Sequence, residues 1–433
     1  MLDDAASTGR IPLCLEPPPL PCERDLPVYA ALARIQEAIF GFGLKYDLQL
    51  LGVRHRTVVA KLLGADGTVV SQGVGKGDLA QAIVGALFEA VEHHCTMGLV
   101  DHPNSAVVPI ADLLNAGHCA DERIIDLLRG ETGTRLAVRR YAPLVGQEQI
   151  TYPLFLTDPA YWRQDRLPGD DFGYARLLRY SSNSGTAIGS NGAEALTHAL
   201  NEVIERDAFS EFLVSQFYAP TGEPVRLVSE ESLPSAIETT LSQARRELGA
   251  EIYLIDMTSR FGVPTYLAAA SASTGGIPSH GCGTSLDAGH AIQRSVTELI
   301  QYHHVRTYLP AAASDVLAWA GQLEAYPALR RCLEMDIGAR IKAVGRVHVP
   351  VGGADAQFWS GRCATDHKFE IARRIELAGS RAYFAIRHMT ENGITVATAL
   401  IPGCDRFFLV ASGLIVLPSR RLLMAPEIGQ AAK

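Results

Sequence analysis

The chain has 433 residues, 47% of them hydrophobic and 20% charged, which is enough apolar material for a sizeable core and excludes an intrinsically disordered protein. Its 39 Lys and Arg against 47 Asp and Glu give a formal net charge of -8, which argues against nucleic-acid binding of the kind that rests on cations neutralising phosphates. The start, Met1-Leu2-Asp3-Asp4, lacks the basic stretch and apolar run of a secretory signal, and no apolar run approaches the roughly 20 residues that span a bilayer; a cytoplasmic protein without membrane contact is expected. The eight cysteines contain no Cys-x-x-Cys pair and read as buried free thiols.

Residues 1–24, with Pro17-Pro18-Pro19-Leu20-Pro21, predict an irregular arm. A first helix is predicted from Pro27 to about Phe40, with the proline near its first turn. Residues 1–45 therefore form an arm and helix. No low-complexity linker divides the rest of the chain, so residues 46–433 are expected to be one interwoven domain. Arg56–Leu63, the turn Gly64-Ala65-Asp66-Gly67 and Thr68–Val70 read as strand, turn, strand. Further strands are predicted at 251–255, 265–269 and 407–410. Helical patterns alternate with them, so the expected class is α+β with mixed or antiparallel sheets.

Three long helical patterns share one layout. Each comes after a glycine-rich stretch, read as a loop: Gly73-Val74-Gly75-Lys76-Gly77, Gly185-Thr186-Ala187-Ile188-Gly189, and Gly281-Cys282-Gly283. Each has a capping residue, Asp78, Asn191 or Asp287. Four residues on stands Ala82, Ala195 or Ala291; eleven on stands Glu89, Glu202 or Glu298; fourteen on stands Glu92, Glu205 or Gln301. At about 100° per residue these offsets share one helix face.

Two carboxylates three residues apart on a helix lie about 5–6 Å apart and repel by roughly 3 kcal/mol at an effective dielectric near 20. A single Glu-x-x-Glu is ordinarily a solvated face, and Asn191-x-x-Glu194 fits a capping box. Three helices with matching offsets, each beginning beside backbone N–H groups able to hold an anion, point instead to a Mg-nucleotide site between the helices. The spacing around Gly75-Lys76-Gly77 is not that of a P-loop. His93, His94 and Cys95, like His303 and His304, point different ways on a helix and do not suggest a transition-metal site.

These motifs resemble the YcaO family of ATP-dependent peptide-modifying enzymes. The resemblance rests on Glu89-x-x-Glu92, on Ser182-Asn183-Ser184-Gly185-Thr186-Ala187-Ile188-Gly189 with Glu202-Val203-Ile204-Glu205-Arg206-Asp207-Ala208 after it, on Gly281-x-Gly283 with Glu298-Leu299-Ile300-Gln301, and on Ile401-Pro402-Gly403. It runs from about residue 50 to 420. It implies Mg²⁺ held by Glu89, Glu92, Glu194, Glu202, Glu205 and Glu298, and ATP bound with Lys76, Ser184, Ser190, Arg206 and Gln301. No catalytic base is assigned. Three positions depart from the family pattern: Gly85 replaces a serine, His93 an arginine, and Ser190 an asparagine.

The implied reaction is activation of a backbone amide in a ribosomally made precursor peptide, by attack of a nucleophile and phosphorylation of the amide oxygen. Cyclodehydration of Cys, Ser or Thr to azolines is ranked first. Thioamide or amidine formation by the same chemistry is the alternative, and a non-catalytic nucleotide-binding accessory protein the second. The expected partners are the peptide and a separate leader-binding protein, with a flavin dehydrogenase and a homodimer both compatible. The ending from Pro418 to Lys433 holds two separated prolines, a weak echo of the proline-rich tail of azoline-forming relatives.

Overall fold

The computed structural model describes residues 20–53, 55–98, 102, 104–119, 122–163, 166–271, 277–309, 320–352, 359 and 361–424; the arm before Leu20 and the end beyond Met424 lie outside them. The first helix is α1 (Val28–Gly41), entered from an extended Pro27. Strands β1 (Lys45–Leu51), β2 (Arg56–Leu63) and β3 (Val69–Gly77) form an antiparallel sheet that leads into α2 (Leu79–His93). Next come β4 (Ser105–Pro109), α3 (Ile110–Ala116), α4 (Arg123–Leu128), β5 (Arg135–Pro143), β6 (Ile150–Pro153), α5 (Leu154–Thr157), β7 (Thr186–Gly189) and α6 (Gly192–Leu213). After these lie β8 (Val225–Val228), α7 (Ser235–Leu248), β9 (Ile252–Asp256), β10 (Thr265–Ala270), β11 (His280–Thr284) and α8 (Ala288–Tyr308). The last elements are α9 (Pro327–Glu334), α10 (Ile337–Val344), β12 (Arg346–Val349), α11 (Ala364–Leu377), β13 (Tyr383–Met389), β14 (Thr395–Leu400) and α12 (Arg420–Leu423).

The class is α+β, as expected. A six-stranded sheet runs β4-β5-β13-β14-β7 with β6 beside β5, and a five-stranded sheet runs β11-β10-β9-β8-β12. All pairs are antiparallel except β12 with β8. In each of the three sheets an edge strand, β3, β7 or β11, feeds directly into a long helix. The three caps form as the sequence predicts. Asp78 accepts from the Gln81 N–H at 2.9 Å, Asp287 from His290 at 2.8 Å, and Asn191 from Ala193 and Glu194 at 2.9 and 3.0 Å.

The expected glycine-rich loops are a correction: Gly73 and Gly75 lie inside β3, Gly189 ends β7, and Gly281 and Gly283 lie inside β11. The reason is close approach. A Cβ on Gly75 would strike the Ala82 carbonyl and the Ala86 nitrogen, and one on Gly73 the Ala86 carbonyl and the Ala90 nitrogen. On β11 the same contacts recur, from Gly283 to Ala291 and Ser295, and from Gly281 to Ser295 and Leu299. Gly189 meets the Ala195 nitrogen in the same manner. Strand backbone thus lies on helix backbone, which explains the alanine shared by the three helices: Ala82, Ala195 and Ala291 are fully buried.

Two smaller expectations also change. Phe407–Val410 is not a strand but part of a 3-10 turn, Phe407–Ser412, opened by Asp405 accepting from the Phe407 N–H at 2.8 Å and closed by Gly413 in the left-handed region. Cys95, Cys119, Cys282 and Cys332 are buried free thiols, whereas Cys363 is exposed.

Substituting Gly283→Ala forces a methyl into the α8 backbone and is expected to destabilise the protein by about 1–3 kcal/mol in chemical denaturation. Gly192→Ala, at an open helix start, is expected to be neutral or stabilising by up to about 1 kcal/mol. Equal effects at the two sites would contradict the packing described.

Candidate active site

The three strand-helix units interlock in a ring. Beyond its own sheet, α2 touches β7, α6 touches β11, and α8 touches β3. The faces bearing the repeated glutamates are thereby brought together. Lys76, near the end of β3, pairs with Glu298 of α8 at 2.5 Å, and Gln301 one turn later donates to the Val74 carbonyl at 2.6 Å. On α6, Arg206 lies 3.8 Å from Glu202 and 3.7 Å from Glu205, and Ser184 donates to Glu202 at 3.2 Å.

Electrostatics link the glutamates across the helices. Burial raises the pKa of Glu92 well above the ordinary range, and the charges of Glu202 and Glu89 add to it. Burial likewise raises Glu89, against the pull of His93 and Lys76, and raises Glu202 against Arg206. Glu205 is pushed up to about 7 by burial, aided by the charges of Glu298 and Glu202. Glu298 goes the other way: burial opposes ionisation, but Lys76 and Arg206 overcome it and hold the group at about 2.

Five carboxylates here face three cations, Lys76, Arg206 and Arg294, leaving an excess of two negative charges when all are ionised. Among the described residues, no three of the carboxylates lie close enough together to hold a metal ion as they stand. The donor set is all oxygen, and Glu205 Oε2 is buried with no hydrogen-bond partner. That chemistry fits a hard divalent cation such as Mg²⁺.

Glu194 and Ser190 lie at the start of α6, in a different setting. The Glu194 carboxylate accepts from the backbone N–H of Asp25 at 2.7 Å and of Ser190 at 2.8 Å, with Arg24 at 3.9 Å. It works there as a helix-start cap that also ties down the chain at Arg24–Asp25. Ser190 is buried with its hydroxyl unpartnered, and its carbonyl accepts from Arg34 at 3.2 Å. At the other departures from the family pattern, Gly85 faces the Gly75 Cα, and His93 donates through Nδ1 to the Gln72 carbonyl at 2.6 Å.

Sequence reasoning missed three residues near the site. Arg294 stands four residues before Glu298 and seven before Gln301, so helical spacing alone placed it on the same face; its guanidinium reaches His198 at 3.1 Å and Glu23 at 3.9 Å. Burial and the charge of Arg294 hold His198 well below its ordinary pKa, so it stands neutral. Glu23 is buried, accepting from Ser285 at 2.5 Å and Asn201 at 3.0 Å. Nothing in the irregular arm signalled that role.

A carboxyl whose pKa is higher folded than unfolded keeps its proton in the native state after the unfolded chain has lost it. Glu205, with an ordinary value of 4.5 raised to about 7, therefore lowers the stability of the metal-free protein as pH rises through that window. Denaturation with EDTA across this range is expected to show falling stability, with a shallower slope in Glu205→Gln. Identical slopes in both proteins would contradict the assignment.

Known proteins are similar to this chain in sequence and in fold. Residues 74–405 match the profile of the family described as YcaO cyclodehydratase, ATP- and Mg²⁺-binding. The chain is 26% identical over 254 residues to an uncharacterized protein in the tfuA 3′ region of Rhizobium leguminosarum bv. trifolii, covering 52% of this chain and 53% of that protein, so it spans about half the length of that relative. Its fold is similar to YcaO from Methanopyrus kandleri bound with AMPPCP and Mg²⁺, with a TM-score of 0.59, 18% identity, and coverage of 91% of this chain and 96% of that one. It is also similar to a heterocyclase in complex with substrate and cofactor, with a TM-score of 0.62, 17% identity, and coverage of 90% of this chain and 55% of that one. The ring of glycine-backed strands and acidic helices is thus that of a chain that belongs to the YcaO family and binds ATP and Mg²⁺.

Proposed function

We propose that this protein activates backbone amides of a ribosomally made peptide, converting Cys, Ser or Thr residues to azolines. The observation that carries the reading is the excess of carboxylate charge on three interlocked helices in a YcaO family member. In this reading Glu89, Glu92, Glu202, Glu205 and Glu298 hold Mg²⁺, and Glu194 joins them once its contacts with Asp25 and Ser190 open. Lys76, Arg206, Gln301, Ser184 and Ser190 hold the nucleotide. Bound ATP supplies the phosphoryl group that turns the amide oxygen into a leaving group, while Mg²⁺ neutralises charge developing on the phosphates.

The protein's own residues bind and orient. Lys76 and Arg206, now paired with glutamates, can turn toward phosphate oxygens when a divalent ion takes over the carboxylates. Cyclodehydration is favoured over thioamide formation because the side chain that attacks is already held next to its amide and needs no second binding site. A separate leader-binding protein is proposed to deliver the peptide.

The test combines the purified protein, Mg²⁺, ATP, a leader-bearing peptide and the candidate partner, read by phosphate release and mass spectrometry. Loss of one water per modified residue is expected. Exchange of oxygen for sulfur with the side chain still free would replace the azoline by a thioamide, and full-rate modification without the partner would remove the delivery role. Glu89→Gln, Glu202→Gln and Glu205→Gln are each expected to lower turnover by roughly 100-fold or more with the circular dichroism spectrum unchanged. Near-normal turnover in all three would refute the metal assignment.

A further inference from the structure

A second concentration of buried charge lies away from the three acidic helices, on inner strands of the six-stranded sheet. Arg139 of β5 is fully buried, and Arg387 of β13 is nearly so. Both guanidiniums converge on the same oxygen of Asp158, itself buried just after α5: Arg387 donates to Oδ2 at 2.6 Å and Arg139 at 3.4 Å. Arg387 also reaches the Thr157 carbonyl at 3.5 Å, and His102 Nδ1 stands 3.5 Å from Asp158 Oδ2. Much of the cluster is left unmet. Arg139 Nε and Nη1, both ring nitrogens of His102, Asp158 Oδ1 and Ser105 Oγ are buried without a hydrogen-bond partner.

The charge does not balance either. Two guanidiniums, protonated at any physiological pH, face one carboxylate, and among the described residues no second acidic side chain pairs with either. Burial and the adjacent Arg139 charge push the Arg387 pKa down, the direction of a cation short of anions. Buried charge in proteins is paired or coordinated, because a desolvated ion with idle donors is unstable. Water could fill the idle donors but would leave the charge standing. An oxyanion answers both needs, since it brings negative charge together with acceptors for the idle Nε and Nη1 donors of Arg139.

We propose that Arg139 and Arg387, with His102 and Ser105, form a binding site for a small oxyanion, in which Asp158 orients the two guanidiniums without neutralising both. The site is separate from the acidic cluster but near it. The π-helical turn His94–Gly98 that ends α2 contacts β13, and the Cys95 thiol within that turn feels both the Glu92 carboxylate and the Arg387 guanidinium. Two sources share the required chemistry: inorganic phosphate, and a carboxylate carried by a peptide. The excess of cationic charge persists whether or not the amide-activation reading holds.

The full-length protein would be titrated calorimetrically with sodium phosphate, and separately with acetate, in chloride buffer containing EDTA and no nucleotide. Saturable binding of one or both probes is expected. Phosphate alone would assign the free ion, acetate alone a peptide carboxylate, and both a general oxyanion site. Arg139→Met keeps most of the volume and leaves Arg387 and Asp158 as a neutral pair, so it is expected to lose the binding and the anion-dependent rise in Tm. Without anion it is expected to melt no lower than the natural protein, because it removes an unbalanced charge. Should that variant not fold, Arg387→Met is measured in the same way. Absence of saturable binding of either probe by the natural protein, or binding unchanged in a folded variant, would overturn the proposal.

Discussion

The contact on which the structure depends is backbone against backbone, between the glycines of three edge strands and the helices next in the chain. A side chain at Gly75, Gly189 or Gly283 would hold the helix away from its strand, and the alanines at Ala82, Ala195 and Ala291 complete the close fit from the other side. Close packing transmits small displacements rather than absorbing them. Because each helix also touches the edge strand of another sheet, a shift in one unit would be felt by the other two. The ring turns the acidic faces of α2, α6 and α8 toward one another although their carboxylates repel.

That repulsion is the second constraint. Glu89, Glu92, Glu202 and Glu205 all have raised pKa values chiefly because burial disfavours their charged forms, and only Glu298, beside Lys76, is driven the other way. Glu92, raised well above its ordinary range, and Glu205, raised to about 7, hold protons near neutral pH and would exchange them for a metal ion, since ligands must be deprotonated to coordinate. The cations now placed among the glutamates have the complementary role. Lys76 and Arg206 offset part of the negative charge and are the groups that phosphate oxygens would attract.

Much of this was legible in the sequence because the repeat is periodic. The caps at Asp78, Asn191 and Asp287, the alanines four residues on and the glutamates beyond them obey helical spacing, which is local information. The glycines were legible as a feature but misread in form: a run such as Gly73-Val74-Gly75 predicts a loop by propensity, whereas the tertiary contact with α2 keeps it in a strand. Phe407–Val410 failed for a related reason, since an apolar run of four cannot distinguish a strand from a turn pinned by Asp405. Asp158, Arg139 and Arg387 come from distant segments with no periodicity to join them, as does Glu23 with Arg294, and only the fold brings such pairs together.

The central claim, that the glutamates of the three helices take up Mg²⁺ with the nucleotide and that Glu92 and Glu205 give up protons as they do, is tested most directly by counting protons. The full-length protein is titrated with AMPPCP in excess Mg²⁺ at pH 7, in two buffers of different ionisation enthalpy. Net proton release is predicted, seen as a binding enthalpy that differs between the buffers, with a smaller release in Glu205→Gln. Nucleotide and metal binding with the same enthalpy in both buffers, and no change in the variant, would contradict it.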